Sequence, residues 1–346
     1  MQLAYKLLEV QQLTHFLDFM ITLTMRPYGG EADLEAIANL INACDAVDQL
    51  DEGISVSELR QEFDEPSVDK ARDLCLWEDA DTQLVGFGQL WIPPTGEVID
   101  GYLWFRVHPR ARGGDLERQI MAWGERRMRE VSQERSVPVK LRSSTRAEQS
   151  DSPSYTLRDR IALLEHYGFT ADRYFFSMER SLYEPIPEPD LPLSFTIRQV
   201  KSNEDDEAWV ELFNQSFIDH WNHHDLTLES YKHWVSDPNY KPELDLVAVA
   251  ANGTFTAFCQ CHIRLEDNNR SGRNEGWIST LGTRRGFRRM GLGRAMLLAG
   301  MQRLKTAGVD TARLGVDTEN LSGAGRLYES VGFRKMYTRI MYVKDV

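Results

Sequence analysis

The chain has 346 residues, 42% hydrophobic and 27% charged, an ordinary soluble balance with length enough for two domains. Its formal net charge of −13 argues against a nucleic-acid partner and fits a cationic small substrate. Four cysteines, Cys44, Cys75, Cys259 and Cys261, are too few for a disulfide framework, so a reducing, cytoplasmic setting is expected.

Residues 1–20 read as an N-terminal extension whose spacing suits an amphipathic helix. Lys6, Glu9 and Asp18 interrupt its apolar residues, so neither a membrane span nor a signal peptide is expected, and no membrane partner. Met20 stands just ahead of the first strand-like run and is an alternative start.

From there the chain repeats itself. "TMRPYGGEADLEAIANLIN" (24–42) aligns without a gap on "TIRQVKSNEDDEAWVELFN" (196–214), and "LLEHYGF" (163–169) matches "LYESVGF" (327–333). A period this long means a tandem domain duplication, not a solenoid. The copies span 21–182 and 194–346, and residues 183–193 between them carry four prolines, the mark of an extended, stiff linker.

The second copy gives the clearer reading. "SFTIRQV" is a strand, and "DDEAWVELFNQSF" a helix with carboxylates in its first turn, as the helix dipole favours. A hairpin with Asn252-Gly253 at its turn follows, then the strand "GWISTLGT". Residues 288–307 form a helix, "ARLGVD" a strand, "SGAGRLYESVG" a short helix, and "RKMYTRIMYV" a closing strand. The fold class is therefore α/β (α+β), with mixed sheets and interspersed helices.

Two clusters invite a metal and are discounted. Cys259 and Cys261 in "FCQCH" share one strand face and read as buried packing. His220, His223 and His224 have no carboxylate or cysteine in ligand register. No metal is expected.

Arg288-x-x-Gly291-x-Gly293 sits where a strand gives way to a helix. A helix N-terminus presents unpaired N–H groups and partial positive charge, and glycine lets an anion approach the backbone. The arginines add charged donors. A P-loop lysine is absent, and Met296 stands where a dinucleotide fingerprint needs a third small residue.

This spacing, followed by "DTENLSGAGRLYESVGF" (317–333), resembles the signature of the GNAT superfamily of acetyl-CoA-dependent N-acetyltransferases. The tandem arrangement is similar to that of the mycothiol synthases. The resemblance implies two tandem GNAT-like domains, each a mixed, mostly antiparallel twisted sheet flanked by helices. It implies acetyl-CoA as co-substrate and a small-molecule amine as acceptor, attacked directly in a ternary complex. A non-catalytic acyl-CoA sensor is the alternative. Oligomeric state is not legible.

Residue by residue, the resemblance implies that Leu281, Gly282 and Thr283 pair through their main chain with the pantetheine arm and thioester. Arg288, Arg289, Met290, Gly291, Leu292, Gly293 and Arg294 would form the pyrophosphate loop, and Asn320 would contact pantetheine. Tyr328 would protonate the departing thiolate. With tyrosine near ~10 and a thiol near ~8.5, that transfer is uphill by about 2 kcal/mol, within reach of a positioned acid. Glu275, upstream on the same strand, is the candidate base. Asp219, His220 and Trp221 follow the first helix, where the family builds its acceptor wall, and are candidate substrate contacts.

The first copy departs from this pattern. Arg112 falls on Arg288 and Arg118 on Arg294, but Asp115 replaces Gly291, Glu117 replaces Gly293 and Leu164 replaces Tyr328. It is expected to be a degenerate domain that shapes the acceptor side of the second.

Overall fold

A computed structural model describes residues 23–50, 52–147, 155–320 and 323–346, without the side chains of 155–159. The expected N-terminal helix and Met20 lie outside the described residues.

The first copy runs β1 (Thr24–Pro27), α1 (Glu31–Asp48), α2 (Val56–Phe63), β2 (Leu74–Glu78), β3 (Leu84–Trp91), β4 (Ile99–Val107), α3 (Asp115–Arg135), β5 (Val139–Ala147), α4 (Tyr155–His166) and β6 (Thr170–Ser181). The second runs β7 (Phe195–Gln199), α5 (Asp206–Phe217), α6 (Leu228–Val235), β8 (Asp245–Ala250), β9 (Phe255–His262), α7 (Leu265–Ser271), β10 (Glu275–Thr283), α8 (Leu292–Thr306), β11 (Thr311–Asp317), α9 (Ala324–Ser330) and β12 (Arg334–Asp345). Helices α6 and α7 were not legible in the sequence, and α8 starts at Leu292 rather than Arg288.

The repeat is physical as well as textual. Arg26 grips Asp33 with two bonds of 2.8 Å, and Arg198 grips Asp205 at 2.6 and 2.9 Å. In both copies the same carboxylate accepts a further main-chain N–H, from Gly29 or Lys201, fixing the strand–helix corner. The repeated asparagine also recurs as a clamp. Asn42 bonds both main-chain groups of Ile54, and Asn214 both of Leu226, tying down the loop after each first helix. Such a side chain satisfies a loop's backbone where no ladder can.

All twelve described strands form one sheet, in the order β1-β2-β3-β4-β5-β12-β6-β11-β10-β9-β8-β7. Only β4/β5 and β10/β11 pair in parallel. The two copies share strands. The last strand of each copy crosses over: β12 pairs with β5, and β6 pairs with β11. The copies at 21–182 and 194–346 are thus units of sequence, and each completes its sheet with a strand from the other. β6 and β12 also pair with each other, so the sheet runs unbroken across both copies with no internal edge. The linker crosses without regular structure, and Ile186 and Leu191 pack on the second core.

Candidate active site

The site sits where β10 parts from β11. Their parallel pairing covers only Glu275–Trp277 against Thr311–Arg313. Beyond it the strands splay, and a bulge between Ile278 and Thr280 in the β9 pairing shifts β10's register. A splayed pair leaves main-chain donors and acceptors on facing edges free for an extended ligand.

At the open end the chain enters α8 through two left-handed residues, Arg289 (φ 63°) and Gly291 (φ 85°). The first helical bond is Ala295 N–H to the Gly291 carbonyl, so the N–H groups of Leu292, Gly293 and Arg294 precede it. With the helix dipole behind them they make an anion nest. The Leu292 side chain is buried in the core, while Arg289, Met290 and Arg294 are exposed around the nest. Gly282 is glycine for packing: a Cβ there would come within 2.3 Å of the Phe258 ring.

The Arg288 side chain is engaged within the protein. Its guanidinium bonds the Thr283 carbonyl (3.3 Å), the Ser216 carbonyl (2.9 Å) and Asp219 (2.7 Å). Arg112 does the same in the first copy, reaching the Val107 carbonyl (3.0 Å) and Asp48 (2.7 and 2.8 Å). This arginine braces the strand end against the first helix. Asp219, a candidate acceptor contact, gives Oδ2 to Arg288 and Arg285 and Oδ1 to Arg285, and so takes part in this brace.

Glu275, the candidate base, sits away from the splay. It lies at the closed end of the β10/β11 pair, buried, with its carboxylate 2.8 Å from Arg313 Nε. Eight residues of strand, about 26 Å, separate it from Thr283. Tyr328 is 8% exposed in the second core, and burial pushes its phenol well above its ordinary value, so it holds its proton. Its neighbour Leu327 would lie 3.9 Å from a Cβ on Gly293, which brings α9 against the nest. Asn320 follows β11, its N–H on the Asp317 carbonyl at 3.2 Å.

On the α5–α6 face of β10 lies a cavity of about 430 Å³. His220 and Thr280 line it from the second copy, and Trp91, Tyr102 and Glu65 from the first. Bonds between the copies frame it: Ser230 to Glu65 at 3.0 Å, Gln61 to the His233 carbonyl at 2.9 Å, and Asn222 to the Tyr102 hydroxyl. His220 Nδ1 lies 2.9 Å from the Trp221 carbonyl, which can only accept. Nδ1 therefore carries a hydrogen, which in the neutral ring puts the lone pair on Nε2. Trp221 leaves the cavity wall. It lies under the guanidinium groups of Arg142 and Arg173, 4.8 and 5.6 Å from its ring, in the seam between copies. Sequence reading missed Thr280 and all three first-copy residues, because no local pattern marks them.

The first copy fills its own equivalents. Glu117 turns back to accept the Gly113 N–H at 2.9 Å, putting a carboxylate in the nest. Gly113 (φ 74°) is the counterpart of Arg289. Arg160 reaches the Phe105 carbonyl (3.4 Å) and lies 4.2 Å over the Phe105 ring, where β4 parts from β5. Leu164, in Tyr328's place, is buried.

The acetyltransferase (GNAT) family model matches residues 207–333. A mycothiol acetyltransferase from Thermobispora bispora is 32% identical over 274 residues, covering 79% of this chain and 83% of its own. A GCN5-related N-acetyltransferase from Sphaerobacter thermophilus shares the fold with a TM-score of 0.69, at 24% identity over 93% of this chain and 95% of that one. A tandem GNAT protein from the clavulanic acid biosynthesis pathway does so at 0.69 and 13%, over 94% and 98%.

Proposed function

Because the chain belongs to the GNAT acetyltransferase family, we propose that its second copy transfers acetyl from acetyl-CoA to a primary amine of a small molecule, by direct attack in a ternary complex. The observation that carries this reading is the α8 nest beside a splayed β10/β11 pair, with buried Tyr328 beneath. The nest fits a pyrophosphate, because its donors are main-chain N–H groups that no side chain among the described residues of this copy fills. Acetyl-CoA supplies an activated acyl carbon and a thiolate leaving group.

The residues divide the remaining work. The nest holds the diphosphate, and the free edge of β10 at Leu281–Thr283 positions the thioester. The acceptor occupies the cavity between the copies. Its aromatic walls, Trp91, Tyr102, Phe213 and Phe217, suit the apolar body of a small molecule, and Glu65 and Asp225 favour a cationic one. His220 Nε2 takes the proton that the amine must lose, and Tyr328 gives one to the departing sulfur. All four cysteines are buried in the cores, so none is placed to carry an acetyl group, which favours direct attack. The first copy serves as the acceptor's far wall. The printed name of the Thermobispora relative supports a small-molecule acceptor. The free thiols support a cytoplasmic setting.

The test is thiol release from acetyl-CoA against a panel of small amines, with acetylated product identified by mass. A fast thiol burst without amine would refute direct attack. CoA binding with no turnover on any amine would refute the enzyme reading of this site.

A further inference from the structure

Positive charge gathers on the first copy. Four guanidinium groups, from Arg106, Arg146, Arg160 and Arg339, converge beside the loop between α1 and α2. Arg106 donates to the Phe105 carbonyl at 3.0 Å and to one oxygen of Glu52. Arg339, on the strand lent by the second copy, reaches the other oxygen at 3.1 Å. Arg160 shares the Phe105 carbonyl at 3.4 Å. Arg146 bonds the Leu50 carbonyl and lies 3.8 Å over the Tyr337 ring, and its Nε is buried without a partner among the described residues.

Among the described residues, Glu52 is the carboxylate that answers these cations, taking Arg106 and Arg339 directly. The nearby Asp48 is already committed to Arg112 in a two-bond grip. Burial would raise the Glu52 carboxyl, yet Arg106, Arg339, Arg146 and Arg160 hold it down at about 2. Burial, and then the charge of Arg106, lowers Arg160 to about 9. The cluster is not a remnant of the CoA nest, which lies at the start of α3 and is filled by Glu117.

We propose that these four arginines form a binding site for a phosphate-bearing small molecule, separate from the transferase site. Among the described residues four cations face one carboxylate, a surplus that a dianion would neutralise, and planar guanidinium forks match phosphate oxygens. Arg146, Arg160 and Arg339 are half-buried, so the cluster is open to solvent on one side. The ligand would join β5 to β12 and so tie the exchanged strand to the first copy.

The experiment uses the intact chain with inorganic phosphate as probe, read by thermal unfolding and by calorimetry against chloride at matched ionic strength. Phosphate should raise Tm by a few degrees. Arg146→Gln and Arg339→Gln should each weaken its binding by at least ~10-fold. Gly293→Glu, which closes the nest on α8, should leave the phosphate response intact. Without phosphate, Arg146→Gln should unfold no earlier than the wild type, because it sheds surplus charge. Three results would each overturn the proposal: no phosphate-specific shift, a shift lost in Gly293→Glu but kept in the arginine variants, or an Arg146→Gln protein that fails to fold.

Discussion

Gly293→Glu should convert the working nest into a copy of the silent one. In the first copy Glu117 accepts the Gly113 N–H at 2.9 Å, and Gly113 and Arg289 share the left-handed backbone, at φ 74° and 63°. A glutamate at 293 can therefore fold back onto the Arg289 N–H in the same way. Space permits it: a Cβ on Gly293 would meet Thr283 Oγ1 at 3.4 Å and Leu327 at 3.9 Å, ordinary contacts. Fold stability should hold or rise, because a carboxylate in a helix's first turn is favourable by ~0.3–1 kcal/mol. CoA binding should suffer. A carboxylate about 4 Å from one pyrophosphate charge costs between about 1 and 4 kcal/mol, from bulk water to a protein surface. That spans roughly 5-fold to 1000-fold in Kd. Gly293→Gln separates charge from bulk, since it fills the same space without the charge. Calorimetry with CoA on the three proteins is the assay. If Glu and Gln weaken CoA equally, or neither shifts Kd beyond about threefold, the electrostatic account of the silent copy is wrong.

Tyr328→Phe should leave CoA affinity unchanged and lower kcat by roughly 10²–10⁴-fold, as loss of a general acid does; an unchanged kcat under saturating substrates removes Tyr328 from the chemistry. Trp91→Ala, in the first copy, should raise KM for the amine several-fold with CoA binding intact, and a KM equal to wild type would separate the cavity from the acceptor. Asp245 is fully buried and bonded by Tyr240 at 3.1 Å and by Trp209 at 3.3 Å, and burial pushes its carboxyl up to about 7. The folded state then holds a proton that the unfolded chain, near ~3.9, releases. Asp245 thus contributes stability that is complete below about pH 4 and lost as pH rises through about 7. Asp245→Asn should flatten the decline of unfolding free energy across that window, by about 4 kcal/mol as an upper bound; urea unfolding at a series of pH values that shows the same slope in both proteins would contradict it.

The sequence by itself determined what depends on near neighbours along the chain. The repeat, most helices and strands, the Asn252-Gly253 turn and the left-handed loop into α8 are set by side-chain period, by glycine's freedom at Gly291 and by residues a few positions apart. The duplicated Arg and Asn positions were visible too, though not their work as corner brace and loop clamp. Tertiary structure decided the rest. β6 and β12 are homologous final strands, so nothing in either pattern says which copy's sheet it should complete; long-range pairing settles that as an exchange. Glu275 and Asp219 read as functional carboxylates in the sequence, and only the fold pairs them with Arg313 and Arg288, 38 and 69 positions away. Trp91, Tyr102 and Thr280 share a cavity although up to 189 residues part them. The gathering of four arginines around Glu52 was equally invisible, because β12 carries Arg339 to the first copy only after the strands exchange. Period and propensity act over a turn or two of chain, whereas charge pairing and cavity shape follow distance through space, which the order of residues does not contain.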